Sequence, residues 1–258
     1  MKYYEKLIDM GIFTFSDLVK MTGNKDTAGS LVREYKKKGY IVSIKRDLYS
    51  AISLETKEPV ASKFEIGSNI TESSYISHHS AFEYHGIMNQ IYYEVYVSSE
   101  REFNNFEFRG IEYIYRQSKF AKGVESSKNN KNIRITDLER TVLDSIKDFE
   151  KIGGIEELLQ CLDLITYLNH HKLEEYLECY DSQIMYQKTG YILEHYKNSL
   201  KLPDDFFDIC QSRIEKSKRY FCKNIMNEDY VYNDRWQLVV PRNLFLLYIT
   251  QESTKYKL

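Results

Sequence analysis

Apolar residues recur three and four positions apart through the first forty residues of the chain, which is the spacing of amphipathic helices. They predict three short helices, ended by Gly11, Gly23 and Gly39. Two strand-like runs, YIVSI and LYSAI, follow in residues 40–52 on either side of a three-residue turn, which predicts a hairpin. Helix, helix, short turn, helix and hairpin is the order of a winged helix-turn-helix, so we predict such a domain in residues 1–55.

The pattern of the remaining residues, 56–258, predicts a second domain of mixed α and β structure. Strands are predicted at residues 91–99 and 132–136, with a hairpin at 106–116 between them. After these strands, helical spacing dominates until a further extended run at residues 230–241. The sequence therefore predicts an α+β protein whose second domain is a small sheet with packed helices.

Charge is distributed unevenly along the chain. The 258 residues carry a net charge of −2, but residues 20–46 contain eight basic and two acidic residues, a local charge of +6. The rest of the chain therefore carries −8. A basic segment on an otherwise acidic protein is typical of a nucleic-acid-binding element, although a solvated helix face is the alternative.

The basic residues lie where a winged helix-turn-helix contacts DNA. In such a domain the third helix enters the major groove, and its first turns reach base edges. We predict base contacts from Lys25, Thr27, Ser30 and Arg33. Phosphate contacts, which position the domain without reading sequence, are predicted from Lys36, Lys37, Lys45 and Arg46. A winged helix that binds another protein, with lysines that are merely exposed, is the alternative.

Other classes of protein find little support in the sequence. No stretch approaches the roughly 20 apolar residues of a membrane span, so a cytoplasmic protein without a membrane partner is expected. The four cysteines are spread singly, unlike those of a zinc knuckle or a disulfide scaffold. Phosphate-binding glycine loops and the nucleophile motif of hydrolases are missing. We therefore predict no cofactor, no metal and no catalytic residue.

Several motifs, taken in order, make the sequence similar to a known family. The segment LVREYKKKGYIVSIKRDLYS is followed by Pro59, by YISHHSAFEYHG at residues 75–86 and by ITDLERTVLD at 135–144. Gly153-Gly154 with the following Glu156-Glu157-Leu158, and then GYILE at residues 190–194, continue the series. In this order and spacing the motifs resemble the AbiEi family of antitoxins from bacterial abortive-infection toxin–antitoxin systems, which act in phage defence.

This resemblance implies an autorepressor with two functions. Its N-terminal winged helix would bind the promoter DNA of its own operon. Its C-terminal domain would counteract a nucleotidyltransferase toxin encoded beside it, without forming a stable complex. The family usually has a glycine in the hairpin turn, where this chain has Lys45-Arg46-Asp47. Asp47 can adopt a positive φ, so a hairpin is still expected.

Residues 75–86 contain three of the six histidines of the chain. They predict a helix with Ser77 as its N-cap, on which His78 and His85 share a face. A helical zinc site takes two histidines four residues apart, a spacing that this segment does not offer. A structural role is therefore favoured over metal binding, and the resemblance makes His85 the histidine expected to have a specific partner.

The segment ITDLERTVLD predicts a helix that begins with a capping box of Thr136 and Glu139. Polar residues line one face of this helix, and Arg140 can pair with Asp144 on it. The candidate residues for the antitoxin function are Ser77, His85, Asp137, Arg140, Thr141 and Asp144.

Two further functions stay open on the sequence. The carboxylates of Asp137, Glu139 and Asp144 could hold magnesium in a nuclease that the winged helix delivers to DNA, since hard cations take oxygen ligands. Helix capping and salt bridges account for the same carboxylates without a metal. The other alternative is a transcription factor whose second domain senses a ligand.

Overall fold

The computed structural model of the chain describes residues 2–88, 92–215, 217–222 and 229–245. These residues form an α+β fold, as the sequence predicts, with ten α-helices and three small sheets in the described ranges. The chain divides into two compact units. Unit 1 comprises residues 1–76, 92–118 and 125–135, and unit 2 comprises residues 77–91, 119–124 and 136–258. The domain boundary predicted between residues 55 and 56 falls inside unit 1 and stays a prediction.

Unit 1 begins with three helices and three strands. They follow in the order α1 (Tyr4–Met10), β1 (Ile12–Thr14), α2 (Phe15–Thr22), α3 (Lys25–Lys37), β2 (Ile41–Lys45) and β3 (Leu48–Ala51). The strands form an antiparallel sheet in the order β1-β3-β2. Apolar side chains of all three helices and of the sheet share one core, in which Leu7, Leu18 and Leu31 are at most 7% exposed.

Local hydrogen bonds fix where these helices begin. Thr14 and Asp17 form the reciprocal capping box that their spacing predicts at the start of α2. The side chain of Asn24 accepts hydrogen bonds from two backbone amides in the first turn of α3 and so caps it. Only Gly23 and Asn24 separate the two helices, and Gly23 makes this tight turn at a φ of 74°.

The hairpin of β2 and β3 differs from the prediction by one residue at its tip. Lys45 pairs with Leu48 and belongs to β2, so the turn holds two residues, Arg46 and Asp47, rather than three. Asp47 has a φ of 61°, the positive value expected of it from the sequence. The register shifts between Ser43 and Lys45, as in a β-bulge next to a tight turn.

Most of the rest of unit 1 is a mixed six-stranded sheet with the strand order β6-β7-β5-β4-β9-β8. Its strands are β4 (Tyr75–Ile76), β5 (Glu94–Ser99), β6 (Phe106–Phe108), β7 (Ile111–Gln117), β8 (Val124–Ser126) and β9 (Arg134–Thr136). β6 and β7 form the predicted hairpin, whereas β5 runs parallel to β7 and β4 parallel to β9. Helix α4 (Lys63–Ser68) packs on β4 and β5. Residue 91, where the strand at 91–99 was predicted to begin, lies outside the described residues.

Unit 2 is mainly helical. Its helices are α5 (His78–Tyr84), α6 (Leu138–Asp148), α7 (Ile155–Asp163), α8 (His170–Tyr180), α9 (Gln183–His195) and α10 (Asp204–Ser212), with a short 3-10 helix at Phe149–Lys151. A small sheet follows, formed by β10 (Arg219–Tyr220), β11 (Tyr230–Asn233) and β12 (Leu238–Pro241) in the order β10-β12-β11. None of the helices in the described ranges has the length and apolar character that crossing a bilayer requires.

The single tryptophan of the chain lies in the apolar core of unit 2. Trp236 is fully buried, and its ring lies so close to Gly190 of α9 that a Cβ atom there would overlap it. Its indole Nε1 donates a 2.7 Å hydrogen bond to Glu194. The glycine and the glutamate of the GYILE segment therefore hold this ring in place.

Candidate functional site

The outer face of α3 is open to solvent and positively charged. Ala28, Leu31 and Tyr35 are buried against the core of unit 1 and define the inner face of the helix. All six predicted contact residues of α3 are exposed, namely Lys25, Thr27, Ser30, Arg33, Lys36 and Lys37. The folded chain therefore leaves the predicted DNA-contacting side chains of this helix accessible.

These side chains do not share one direction. At about 100° per residue, Arg33 and Lys37 lie opposite the buried stripe, with Ser30 and Lys36 beside them. Thr27 lies toward the edge of the face, next to Glu34 in helical projection. Arg33 and Lys37 are thus the most prominent side chains of the face.

Little negative charge offsets these cations. Lys38, at the end of α3, pairs with Glu34 at 2.6 Å, and Arg33 donates a hydrogen bond to the hydroxyl of Ser30. Lys36 and Lys37 take part in no salt bridge within the part of the chain that the structure describes. The face keeps a net positive charge that a polyanion can neutralise.

The two basic residues at the hairpin tip differ from each other. Arg46 has a side chain that is 95% exposed, 3.7 Å from the carboxylate of Asp47. Lys45 is instead half-buried, with its ammonium 5.5 Å from the ring centres of both Phe103 and Phe106. Burial lowers the pKa of Lys45, and the charge of Arg101 lowers it further. Lys45 thus contacts aromatic rings within the protein, and its predicted contact with phosphate stays a prediction.

The candidate antitoxin residues form a largely buried set in unit 2. Ser77, Asp137, Arg140, Thr141 and Asp144 are at most 7% exposed. His85 is the exception, since its side chain is exposed although its Nε2 lies 2.8 Å from the backbone oxygen of Thr136. Five of the six side chains are thus part of the interior and unable to contact a partner directly.

Arg140 is the centre of this buried set. Its Nε donates a 3.1 Å hydrogen bond to Asp144, which confirms the predicted pairing. Its Nη1 donates to the backbone oxygens of Phe120 and Lys122 at 3.2 and 2.7 Å, and its guanidinium lies 3.7 Å from the ring centre of Phe120. Tyr180 donates its hydroxyl hydrogen to Asp144, and burial together with this carboxylate raises the pKa of Tyr180. The charge of Arg140 is therefore fully matched in the interior.

The start of α6 is capped differently from the prediction. Asp137, and not Thr136, is the N-cap, and its carboxylate accepts a 2.9 Å hydrogen bond from the backbone of Arg140. Thr136 belongs to β9, where its hydroxyl bonds that of Thr141 at 2.7 Å. Glu139 accepts the backbone N–H of Asn169 at the start of α8. The predicted capping box of Thr136 and Glu139 is wrong, because Thr136 lies in β9 and the helix begins one residue later, with Asp137 as its N-cap.

The carboxylates of α6 are occupied by protein groups. Asp137 accepts hydrogen bonds from Lys172 at 2.8 Å and from Tyr176 at 2.7 Å. Asp144 is held by Arg140 and Tyr180. A magnesium ion would have to displace these donors, so the geometry does not favour the nuclease alternative.

The three histidines of residues 75–86 are also held by protein groups. Ser77 occupies the predicted N-cap position of α5, but its side chain makes no capping hydrogen bond. Its hydroxyl lies instead 2.8 Å from the ring Nδ1 of His78. His79 contacts the backbone oxygen of Ile152 at 3.0 Å. His78 also lies 3.5 Å from the carboxylate of Asp148. Burial alone would raise the pKa of Asp148, but its contact with His78 and the neighbouring charges of Lys147 and Lys151 hold that pKa well below its usual range. Each histidine thus has a structural contact.

Comparison with known proteins places the fold but not the function. No protein-family model matches the chain, and no curated protein matches it. Among solved structures, the chain is similar to a crystal structure of the Rv2827c protein from Mycobacterium tuberculosis, with a TM-score of 0.59 and 12% sequence identity. The similarity covers 93% of this chain and 89% of that chain. At this identity it shows a shared fold alone.

One group of possible metal ligands was not predicted from the sequence. His170, His171 and Glu174 lie at the start of α8 with potential ligand atoms within 4.8 Å of one another, the one such group among the described residues. The spacing in HHKLE, with a histidine four residues before the glutamate, is the signal that could have indicated it. The side chain of His171 is 79% exposed, and exposed clusters of this kind are common without a metal.

Proposed function

We propose that the chain is a DNA-binding antitoxin of the AbiEi type, which represses its own promoter and counteracts a nucleotidyltransferase toxin. The observation that carries the DNA-binding part is the exposed, largely unpaired cationic face of α3. The antitoxin part rests on the resemblance of the ordered sequence motifs. A solvent-exposed surface with this positive charge suits duplex DNA, because DNA phosphates attract arginine and lysine whatever the base sequence.

In this proposal the elements from α1 to β3 form a winged helix-turn-helix. Support comes from the element order α1-β1-α2-α3-β2-β3, from the two-residue connection between α2 and α3, and from the sheet order β1-β3-β2. α3 would then be the helix that enters the major groove, and the hairpin of β2 and β3 would be the wing.

The exposed residues take distinct roles in such a complex. Lys25, Thr27, Ser30 and Arg33, on the first turns of α3, would reach base edges, because the N-terminal part of the recognition helix lies deepest in the groove. Lys36, Lys37 and Arg46 would bind phosphates and fix the register of the domain on the duplex. Lys45 would act indirectly, by holding the wing tip against Phe103 and Phe106.

The antitoxin part of the proposal assigns two kinds of role within unit 2. Arg140, Asp144 and Asp137 would maintain the folded shape that opposes the toxin, since all three are buried. His85 is exposed and would be available at the surface, with its ring orientation set by the Thr136 carbonyl. Growth rescue on co-expression with the adjacent nucleotidyltransferase gene tests this part, and a lack of rescue by the parent chain would remove it.

Binding to the DNA upstream of the chain's own gene tests the other part. The variant Lys36→Gln/Lys37→Gln/Arg46→Gln removes three exposed cations without touching the core. If each contact contributes about 1 kcal/mol or more, affinity in fluorescence anisotropy should fall by about a hundredfold.

A matched control removes three exposed cations elsewhere. The variant Lys122→Gln/Lys201→Gln/Arg213→Gln changes the net charge equally, at exposed positions of unit 2. It should bind promoter DNA within a few-fold of the parent. Equal affinity of the α3 variant and the parent would remove the DNA-binding assignment, whichever result the control gives.

A further inference from the structure

Two adjoining clefts of unit 1 share the residues of the hairpin tip. The larger has a volume of about 770 Å³ and the smaller about 620 Å³, and Arg46, Asp47 and Arg101 line both. The larger cleft lies between the start of α2, the hairpin tip and the segments after α4 and β8. Its volume is in the range of pockets that enclose small-molecule ligands, roughly 300–1,000 Å³.

The larger cleft is rich in positive charge. Four cations line it, Arg46, Arg101, Lys131 and Arg134, against two carboxylates, Asp47 and Glu72. Arg101 and Lys131 take part in no salt bridge within the residues that the structure describes. Two cations without a salt bridge in one cleft favour an anionic ligand, because a single anion can form ion pairs with both of them.

Hydrogen bonds within the protein hold one wall of the cleft. Arg134 is half-buried and donates hydrogen bonds to the backbone oxygens of Ser68 and Thr71, each at 3.4 Å. Asn69, beside them, uses its amide nitrogen to hold the backbone oxygen of Asn132 at 2.9 Å. These contacts fix the segments that carry Thr71 and Lys131 before any ligand binds, which lowers the ordering cost of binding.

The remaining lining is apolar or neutral. Phe15, Leu48 and Ile70 give the cleft an apolar surface, and Thr71, Ser126 and Asn69 add hydroxyl and amide groups. A flat aromatic ring can lie against the apolar part while its polar edge reaches these groups. A cleft that combines an apolar surface, neutral hydrogen-bonding groups and unpaired cations matches the three parts of a nucleotide: base, ribose and phosphates.

We propose that this cleft binds a nucleoside phosphate, with its phosphates on Arg101 and Lys131 and its base against Phe15 and Ile70, and that the bound nucleotide lowers the affinity for DNA. The second half rests on the function proposed above, because it uses Arg46, which lines the cleft and would also contact DNA phosphate. A nucleotide that draws Arg46 into the cleft removes one phosphate contact of the wing. Nucleotide binding itself does not depend on the DNA assignment.

A phosphate-bearing small molecule fits the cleft better than a DNA backbone does. A duplex contacts a protein mainly through convex elements that enter its grooves, and phosphate contacts need no apolar lining. The apolar surface of this cleft would stay unused in a backbone contact. DNA in the cleft is therefore an outcome that the experiment must be able to detect.

Isothermal titration calorimetry of the full chain with ATP and with tripolyphosphate, at one ionic strength, tests the proposal. ATP should bind, and tripolyphosphate should bind at least about tenfold more weakly, a difference of about 1.4 kcal/mol that the nucleoside would contribute. The variant Arg101→Gln/Lys131→Gln should lose at least about tenfold in ATP affinity. The matched control Lys36→Gln/Lys37→Gln, which removes two cations from α3, should bind ATP like the parent.

Promoter binding of the same proteins separates this inference from the proposed function. Saturating ATP should weaken promoter binding of the parent but not that of the Arg101→Gln/Lys131→Gln variant. Absence of ATP binding at millimolar concentration, or equal affinity for ATP and tripolyphosphate, would overturn the nucleotide site. Loss of promoter affinity in the cleft variant with no ATP binding by the parent would assign the cleft to DNA instead. Unchanged promoter binding in the α3 variant would remove the proposed function while leaving the calorimetric result intact.

Discussion

Replacement of Arg140 by methionine tests whether the polar face of α6 has a structural role or contacts a partner. The side chain is 2% exposed, and in the variant Asp144 would lose its salt bridge while staying buried. The backbone oxygens of Phe120 and Lys122 would lose their donor as well. Methionine has a similar length but no charge, so the change removes the interactions with little loss of volume.

The expected cost follows from these contacts. Removing one partner of a buried ion pair costs about 3–5 kcal/mol, because the other charge remains without compensation. Asp144 keeps the hydrogen bond from Tyr180, which limits the loss, and we expect about 4 kcal/mol. Since small domains are stable by only about 5–15 kcal/mol, this loss would leave unit 2 marginally folded and weaken toxin rescue. The double variant Arg140→Met/Asp144→Leu should regain at least about 1 kcal/mol, since neither charge is then buried alone.

Urea unfolding followed by the fluorescence of the single tryptophan measures this directly, because Trp236 is fully buried in unit 2. The control Arg213→Ala breaks an ion pair with Glu178 in which both side chains are more than half exposed, and should cost less than about 1 kcal/mol. A loss of rescue in Arg140→Met without a loss of stability would refute the structural role and make Arg140 a contact residue.

Three further predictions concern the same unit. Gly190→Ala should destabilise unit 2 and shift the emission of Trp236 to longer wavelength, because the added Cβ would displace the indole ring; an unchanged urea midpoint would contradict this packing. Asp148→Asn should make stability less sensitive to acid. Because the pKa of Asp148 is lowered in the folded state, its carboxylate stabilises the fold above about pH 4, and this stabilisation is lost as the pH falls. The same acid dependence of unfolding in the parent and the variant would contradict this role of Asp148. Burial raises the pKa of Cys161 and Cys210 to about 12, so native protein at pH 8 should expose only the two partly accessible thiols to a thiol reagent, and rapid reaction of all four would show that these sites open.

Local structure could be predicted from the sequence because it depends on neighbours in the chain. The capping box of Thr14 and Asp17 involves residues three positions apart, and the positive φ of Asp47 depends on one turn conformation. The exposure of the α3 cations followed from helical periodicity for the same reason. The pairing of Arg140 with Asp144 was likewise predictable, since the two are four residues apart on one helix.

Long-range contacts decided the features that sequence reasoning missed. Lys45 lies over Phe103 and Phe106, which are about sixty residues away in the chain, so its place in the hairpin gave no sign of this contact. Arg140 is buried because the backbone oxygens of a separate segment, at Phe120 and Lys122, solvate its guanidinium. The parallel pairing of β5 with β7 also joins strands that are not consecutive, since β6 lies between them in the chain. Propensity and periodicity do not report which distant segments meet.

The salt dependence of promoter binding tests most directly whether α3 and the hairpin tip hold the DNA backbone. Each phosphate contact contributes about 0.9 to the slope of log affinity against log salt concentration. Lys36→Gln/Lys37→Gln/Arg46→Gln should therefore flatten this slope by about 2.7 units, while the control variant in unit 2 keeps the slope of the parent. A slope that is the same in the parent and the α3 variant would contradict the account, because the cations of this face would then not be exchanging counterions with DNA.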